Sequence, residues 1–129
     1  MRIAIINLTS GGISGGYLKY LSEVLPRIDK NEKVNAVMCA VPKNIELSIN
    51  FNAFKKINIV YCKLYNPIIN FSDKKLLKDL DKFNPDIIYI PVEKKFVYKN
   101  IPIVNMLQNM EPFVKKNKFN SLKTRLKLN

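Results

Sequence analysis

Two short apolar runs near the C-terminal end of the chain place the strongest constraint on its fold. The first, Asp86 to Ile90, follows Asn84-Pro85 and is nearly all apolar, which is typical of a strand covered on both faces. The second, Ile103 to Leu107, is entered through Pro102, a residue that is tolerated at the first position of a strand. Strands of this kind belong to parallel sheets, where helices cover both surfaces.

Strand and helix patterns alternate through the rest of the chain. Three further apolar runs predict strands, at residues 2–8, 34–41 and 57–62. Such alternation implies right-handed crossovers and a mostly parallel sheet. With 129 residues and 47% hydrophobic content, the chain has the size of one domain with an ordinary core. We therefore predict an α/β fold, a Rossmann-like three-layer domain that spans residues 1–129.

Two helices are predicted between these strands. Apolar residues recur at helical spacing over residues 17–25, and we expect Pro26 to end or kink that helix. A second helix is predicted to begin at Ser72-Asp73, where a side-chain acceptor and an acid suit a helix N-terminus, and to carry an apolar face over residues 76–83. Residues 44–55 fit no single pattern, so irregular or helical structure is expected there.

The positive charge of the chain is large and unevenly placed. The formal net charge is +12, and the excess of lysine over arginine is what an AT-rich gene would produce. From Pro112 to Asn129, however, basic residues occur with no acid among them: Lys115, Lys116, Lys118, Lys123, Arg125 and Lys127. A local positive field of this kind favours anionic partners such as membrane surfaces, phosphates or nucleic acid.

The cysteines and the apolar runs indicate the compartment. Cys39 and Cys62 lie in apolar runs, without CxxC spacing and without any histidine in the chain, so buried reduced thiols are expected. No apolar run has the length of a membrane span, and the run from Met1 to Leu8 is too short for a signal peptide. The expected localisation is cytoplasmic.

A loop of small residues, Thr9 to Gly16, follows the first predicted strand. Glycine lets a backbone approach an anion closely, and the helix start behind the loop supplies free N–H groups. The loop has neither the dinucleotide-binding fingerprint nor the GK[ST] of a phosphate-loop NTPase. A ligand-binding loop and a flexible turn leading into a helix both remain open interpretations.

Polar and acidic side chains follow the last predicted strand. Gln108, Asn109 and Glu111 come directly after it, where ligands of parallel sheets bind. Capping of the following helix is the alternative for Gln108 and Asn109. Glu93 and Glu111 are further candidates for substrate contact, and a surface ion pair is the alternative for both acids.

Three of these segments together resemble the N-terminal half of a retaining, GT-B-fold glycosyltransferase of the large family 4 (glycosyl transferases group 1). They are Gly11 to Tyr17, Asn84 to Pro91, and Ile101 to Phe113, in the order and approximate spacing of that family. The resemblance implies that Gly15 and Gly16 lie at a cleft between two Rossmann-like domains, near the donor diphosphate and the acceptor.

The resemblance also implies a position for the polar turn that follows the last predicted strand. In that family this turn often contains His-Asn and faces the transferred sugar, whereas this chain has Gln108-Asn109. Glutamine can exchange hydrogen bonds with a sugar hydroxyl, but it cannot change charge near neutral pH, so a titrating role is excluded.

The implied reaction transfers a sugar from a nucleotide-sugar donor to a cell-envelope, lipid-linked or polysaccharide acceptor, with retention. The family holds its donor with a C-terminal domain that carries two glutamates seven residues apart, and no two glutamates here have that spacing. The chain is therefore expected to be an incomplete half of a GT-B fold, inactive alone. Its partners would be a nucleotide sugar and a glycosyl acceptor once a second domain is present. Neither a metal ion nor a cofactor is expected.

Two alternatives concern the positive charge. The basic stretch Lys115 to Lys127, with Phe119, Leu122 and Leu126 on one side, suits contact with an anionic membrane, or packing of that side on the sheet. The alternative function is a non-enzymatic basic binding module for RNA or phosphorylated ligands. Since the aromatic residues are scattered and no RNA motif is present, no specific nucleic acid is expected.

Overall fold

A computed structural model of the protein describes residues 1–9, 15–43, 48–64 and 73–106. These residues form five strands, two α-helices and one short 3-10 turn. In chain order they are β1 (Arg2–Ile6), α1 (Gly15–Lys30), β2 (Ala36–Pro42), the 3-10 turn (Phe51–Ala53), β3 (Ile57–Cys62), α2 (Lys74–Phe83), β4 (Ile87–Ile90) and β5 (Ile103–Asn105).

All four strand pairings in the sheet are parallel, and the strand order is β3-β2-β1-β4-β5. In the central pairings Ile5 lies opposite Cys39 on one side and Tyr89 on the other. The predicted α/β, Rossmann-like fold with a mostly parallel sheet is confirmed. The order reverses at β1, because the chain moves outward to β2 and β3 and then returns to place β4 on the other side of β1.

The two faces of the sheet carry separate apolar clusters, one against each helix. On one face Ile5, Val37 and Cys39 pack with Leu21 and Leu25 of α1. On the other face the strands pack with α2; the buried side chains of that cluster include Ala4, Ile6, Met38, Ala40, Leu76, Leu80, Ile88 and Ile90. Alternate residues of a strand point to opposite faces, so burial of both faces explains why the strands appear in the sequence as continuous apolar runs.

The first helix is longer than the sequence predicts. Pro26 lies inside α1, which continues to Lys30, so the expectation that Pro26 ends the helix is wrong. Proline removes one backbone hydrogen bond, but tertiary contacts hold the turn that follows it. The carboxylate of Asp29 accepts hydrogen bonds from the backbone N–H groups of Lys55 (3.2 Å) and Lys56 (2.8 Å), which fixes the end of α1 beside β3.

Both ends of α2 are capped, the N-terminal end by a side chain and the C-terminal end by a backbone N–H group. The helix begins at the predicted Ser72-Asp73 start: Asp73 is the N-cap, and its side chain accepts a hydrogen bond of 3.0 Å from the backbone N–H of Leu76. Asn84, with φ of 51°, is the left-handed C-cap, and its N–H donates to the carbonyl of Leu80 at 2.8 Å. Pro85 follows directly, so the helix cannot continue.

The crossover from β4 to β5 contains no helix and packs on the α2 side of the sheet. Phe96 and Tyr98 are buried there, in the same cluster as Leu80. The Tyr98 hydroxyl donates a hydrogen bond to Asp81 of α2, and the ammonium of Lys99 lies 2.6 Å from the same carboxylate. These two contacts with Asp81 therefore hold the crossover from β4 to β5 against α2.

The remaining sequence expectations differ from the structure mainly at element boundaries. The first strand ends two residues earlier than its apolar run, and residues 51–53 of the ambiguous segment form the 3-10 turn. Cys39 and Cys62 are buried free thiols, as expected. Within the described ranges, neither helix has both the length and the apolar character needed to cross a membrane. The basic stretch Lys115–Lys127 lies outside the described residues.

Leu80 provides a test of the α2 interface. Its side chain is fully buried in the cluster that joins α2 to β1 and β4, so Leu80→Ala is expected to lower the free energy of unfolding by about 2–5 kcal/mol. The control, Lys82→Ala, changes an exposed residue two positions along the same helix and should remain within about 0.5 kcal/mol of the wild type. Urea unfolding followed by circular dichroism measures both values, and equal effects would contradict this packing.

The contact between Lys99 and Asp81 predicts a pH dependence of stability. Lys99, followed by the Tyr98 hydroxyl, lowers the pKa of the Asp81 carboxyl. A carboxyl with a lowered pKa stabilises the folded state above its unfolded pKa of about 3.9, and this contribution is lost as the pH falls through the folded pKa. We expect Asp81→Asn to lower the melting temperature at neutral pH and to have less effect as the solution becomes strongly acidic. A difference between variant and wild type that is independent of pH would contradict the assignment.

Candidate functional site

The strand order reverses between β1 and β4, and this is where an open parallel sheet binds ligands, beyond the carboxyl ends of its strands. Two short segments leave the sheet there, residues 7–9 after β1 and residues 91–94 after β4. The first turn of α1 lies at the same edge, since Tyr17 of that turn contacts Asn7. We call these two segments and the first turn of α1 the switch-point edge.

Asn7 joins three elements at this edge. The residue is fully buried, and its side-chain Nδ2 donates to the carbonyl of Ala40 at 2.8 Å and to Sγ of Cys39 at 3.5 Å. Its Oδ1 accepts a hydrogen bond from the Tyr17 hydroxyl, and its backbone N–H also donates to the Ala40 carbonyl, at 3.0 Å. One amide thus fixes the end of β1 to β2 and to the start of α1.

This network is electrically neutral near physiological pH. Burial raises the pKa of the Tyr17 hydroxyl above its ordinary value, and the nearby Cys39 raises it further. Burial also raises the pKa of the Cys39 thiol to about 12, although the hydrogen bond from Asn7 opposes this shift. These shifts keep the Tyr17 hydroxyl and the Cys39 thiol protonated near pH 7, and the hydrogen bonds of the network position the first turn of α1.

A pair of tyrosines connects α1 to β4 beside this network. The hydroxyls of Tyr20 and Tyr89 share a hydrogen bond, and the Tyr89 hydroxyl lies 3.6 Å from the sulfur of Met106. Burial, together with the hydrogen bond to Tyr20, raises the pKa of Tyr89. Tyr17 therefore connects α1 to the residue after β1, and Tyr20 connects it to β4. Tyr89 of β4 in turn contacts Met106, the residue after β5.

Gly15 and Gly16 are the first two residues of α1, and both are exposed. Neither has a positive φ, and a Cβ placed on either would meet no atom of the described residues within 4 Å. Glycine costs up to about 1 kcal/mol relative to alanine in a helix, and no contact among the described residues offsets that cost. Two adjacent glycines have no side chains that would obstruct an anion at a helix N-terminus, where backbone N–H groups favour negative charge.

Thr9 contributes a hydroxyl at the same edge. Its Oγ1 atom is buried and has no hydrogen-bond partner among the described residues. A buried hydroxyl without a partner costs about 1–3 kcal/mol, and it can both donate and accept one hydrogen bond. Thr9 is therefore a further candidate for contact with a ligand.

The end of β5 supports the segment that leaves β4. The side-chain Nδ2 of Asn105 donates to the carbonyls of Val92 (3.2 Å) and Lys94 (2.8 Å), while the N–H of Met106 donates to the Ile90 carbonyl at 3.0 Å. Glu93 lies between the two carbonyl groups that Asn105 holds. The structure thus places Glu93, an exposed residue, at the switch-point edge.

The other predicted site residues lie beyond the described part of the chain. Gln108, Asn109 and Glu111 follow β5, which the structure describes up to Met106. The carboxyl end of β5 is at the same edge as that of β1, two strands away, or about 10 Å at the usual strand spacing. Within the described residues, no three His, Cys, Asp or Glu side chains form a group that could hold a metal ion.

Sequence reasoning missed the buried network. It assigned Asn7 to an apolar strand, Tyr17 to an apolar helix face and Tyr89 to a strand interior, with no polar role for any of them. One signal was available, because Asn7 is an isolated amide within the apolar run Ile3–Leu8. A buried amide requires hydrogen-bond partners, but its partners here come from β2 and α1 and depend on the strand order.

Tyr17→Phe tests whether the network holds this edge together. Removing the hydroxyl leaves the buried Oδ1 of Asn7 without that donor, and we expect the free energy of unfolding to fall by about 1–3 kcal/mol. The control is Tyr20→Phe, which removes a hydroxyl that is only partly buried and should cost less. Chemical denaturation of the three proteins measures the difference. A Tyr17→Phe variant that is no less stable than Tyr20→Phe would contradict the role of Asn7.

No family model matches the chain, and neither the curated proteins nor the solved structures contain a significant match. The description of the site therefore depends on the strand order, on the hydrogen bonds around Asn7 and on the two exposed glycines.

Proposed function

We propose that this chain is the acceptor-side domain of a retaining glycosyltransferase and forms one wall of a sugar-transfer cleft at the switch-point edge. The observation that carries the proposal is the pair Gly15-Gly16, which stands in the first turn of α1 with open space where side chains would be. The location supports it, because the strand order reverses beside this helix start.

The proposed role of the helix start is to bind the diphosphate of a nucleotide sugar. The first N–H groups of a helix have no partner within the helix, and the helix dipole favours a negative charge there. A diphosphate that leaves the sugar would be stabilised by the same groups during the reaction. The Asn7 network supports this role because it holds the helix start in a fixed position.

The acceptor would be bound by polar side chains. The Thr9 hydroxyl and the exposed carboxylate of Glu93 lie at the edge, and Gln108, Asn109 and Glu111 are proposed to join them from beyond β5. Hydroxyl and amide groups suit a sugar or polyol because they donate and accept hydrogen bonds without requiring a charge. The contribution of this domain is then the positioning of an acceptor hydroxyl against the donor sugar.

The proposed partners follow from this division of roles. A second domain would hold the nucleotide part of the donor and exclude water from the cleft. The acceptor is proposed to be a cell-envelope, lipid-linked or polysaccharide molecule, and the basic stretch Lys115–Lys127 to contact an anionic membrane surface.

Gly16→Ala tests the proposal because it separates folding from binding. Space for the added methyl group and the helix preference of alanine predict a folded variant that is more stable by up to about 1 kcal/mol. The same methyl group would obstruct a diphosphate at the backbone N–H groups. Titration of the ¹⁵N-labelled chain with UDP-glucose or GDP-mannose, at millimolar concentration, should shift the amide signals of residues 15–17 in the wild type and not in Gly16→Ala.

The matched control is Lys19→Ala, an exposed change on the next turn of the same helix. It should retain the shifts of the wild type, apart from a modest loss of affinity through the lost charge. Two results would refute the proposal: no response of the wild-type amides to either nucleotide sugar, or an identical response in Gly16→Ala.

A further inference from the structure

A cavity of about 470 Å³ opens at the same edge of the sheet, beyond β2 and β3. Three lysines line it: Lys43, which follows β2, Lys63, which follows β3, and Lys75 in the first turn of α2. Its volume is within the range of about 300–1,000 Å³ that is usual for small-molecule sites. We call it the lysine cavity.

We propose that the lysine cavity binds a small phosphomonoester that carries an apolar or aromatic group. A phosphomonoester has a charge of about −1.5 to −2 at neutral pH, which matches two ammonium groups. The inference is independent of sugar transfer, since the cavity lies on the β2–β3 side of β1 and the switch-point edge lies on the β4 side.

The charges in the cavity leave two cations for a ligand. The ammonium of Lys75 is already engaged, 2.8 Å from the carboxylate of Asp79 and 3.4 Å from the carbonyl of Tyr61. The ammonium groups of Lys43 and Lys63 have no ion-pair partner among the described residues. Lysines from two separate strands thus bring uncompensated charge to one concave surface, which attracts anions.

Among the described residues of the lining, the one acid, Asp73, is hydrogen-bonded to the backbone. Asp73 is only 6% exposed, and its two carboxylate oxygens accept hydrogen bonds from the N–H groups of Leu76 (3.0 Å) and Lys63 (2.6 Å). These two bonds stabilise the negative charge and also fix the backbone of Lys63 against the start of α2. Asp73 therefore fixes the backbone of Lys63 beside the first turn of α2, where Lys75 lies.

The walls of the cavity indicate the rest of the ligand. Tyr61 is 47% exposed and Leu64 is 43% exposed, and both line the cavity next to the lysines. Large apolar side chains left open beside cations favour a ligand that combines a charged group with an apolar or aromatic part. A nucleoside monophosphate and a phosphatidic acid both have this chemistry.

Isothermal titration calorimetry with the full chain tests the inference. The probes are AMP, dihexanoyl phosphatidic acid as a soluble lipid, inorganic phosphate and the uncharged nucleoside adenosine. We expect wild-type protein to bind at least one of the two phosphomonoesters more tightly than inorganic phosphate, and adenosine much more weakly. Preference for AMP would identify a nucleotide as the source of the group, and preference for phosphatidic acid would identify a lipid.

The decisive variant is the double substitution Lys43→Gln/Lys63→Gln. Both residues are exposed, so the fold should be retained, and thermal unfolding checks this. Loss of two charged contacts is expected to weaken binding at least tenfold. The control, Lys78→Gln/Lys82→Gln, removes the same charge from exposed positions of α2 that do not line the cavity, and it should bind within about threefold of the wild type.

Three results would overturn the inference. The first is that the wild type binds neither phosphomonoester. The second is that it binds AMP and adenosine equally and does not bind the lipid. The third is that the two double variants lose the same amount of binding affinity. Gly16→Ala should leave binding at the lysine cavity unchanged. Failure of the sugar-transfer proposal is therefore distinguishable from failure of this one.

Discussion

The buried amide of Asn7 is the contact on which the geometry of the carboxyl edge depends. The side chain lies directly after β1, at the carboxyl edge of the sheet, and it has partners in β2 and in α1. An apolar residue at position 7 would leave the carbonyl of Ala40 with one donor fewer and would remove the oxygen that accepts the hydrogen bond of the Tyr17 hydroxyl. Polar groups placed this deep specify one arrangement of neighbours, because each alternative leaves a buried group unsatisfied.

The fold itself follows from apolar patterning to a large extent. Burial of both sheet faces produces continuous apolar runs, and for that reason the sequence located all five strands to within two residues at each end. Local chemistry also identified the start of α2 at Ser72-Asp73. Pro26 was misjudged because the turn that follows it is held by Asp29 and the backbone of Lys55 and Lys56, a contact between segments distant in sequence.

The candidate sites were harder to predict from the sequence, because they too depend on contacts between segments that are distant in sequence. The glycines could be identified from their position after an apolar run, but the Asn7 network and the lysine cavity depend on strand order. Lys43, Lys63 and Lys75 appear in the sequence as three of many surface lysines, and only the parallel arrangement of β2 and β3 brings the first two together. The shared edge also allows the two proposed anion sites to lie on one small sheet, since every parallel strand ends there.

The double hydrogen bond of Asp73 has a consequence for the dynamics of the molecule. One carboxylate holds both the backbone that leaves β3 and the first turn of α2, each through one of its oxygens, so displacement of either segment disturbs the side chain that also holds the other. Fraying of the helix start and separation of the sheet's outer strand should then occur as a single local opening event. Amide protons on both sides of Asp73 would exchange with solvent in concert, as one cooperative unit rather than as two independent ends.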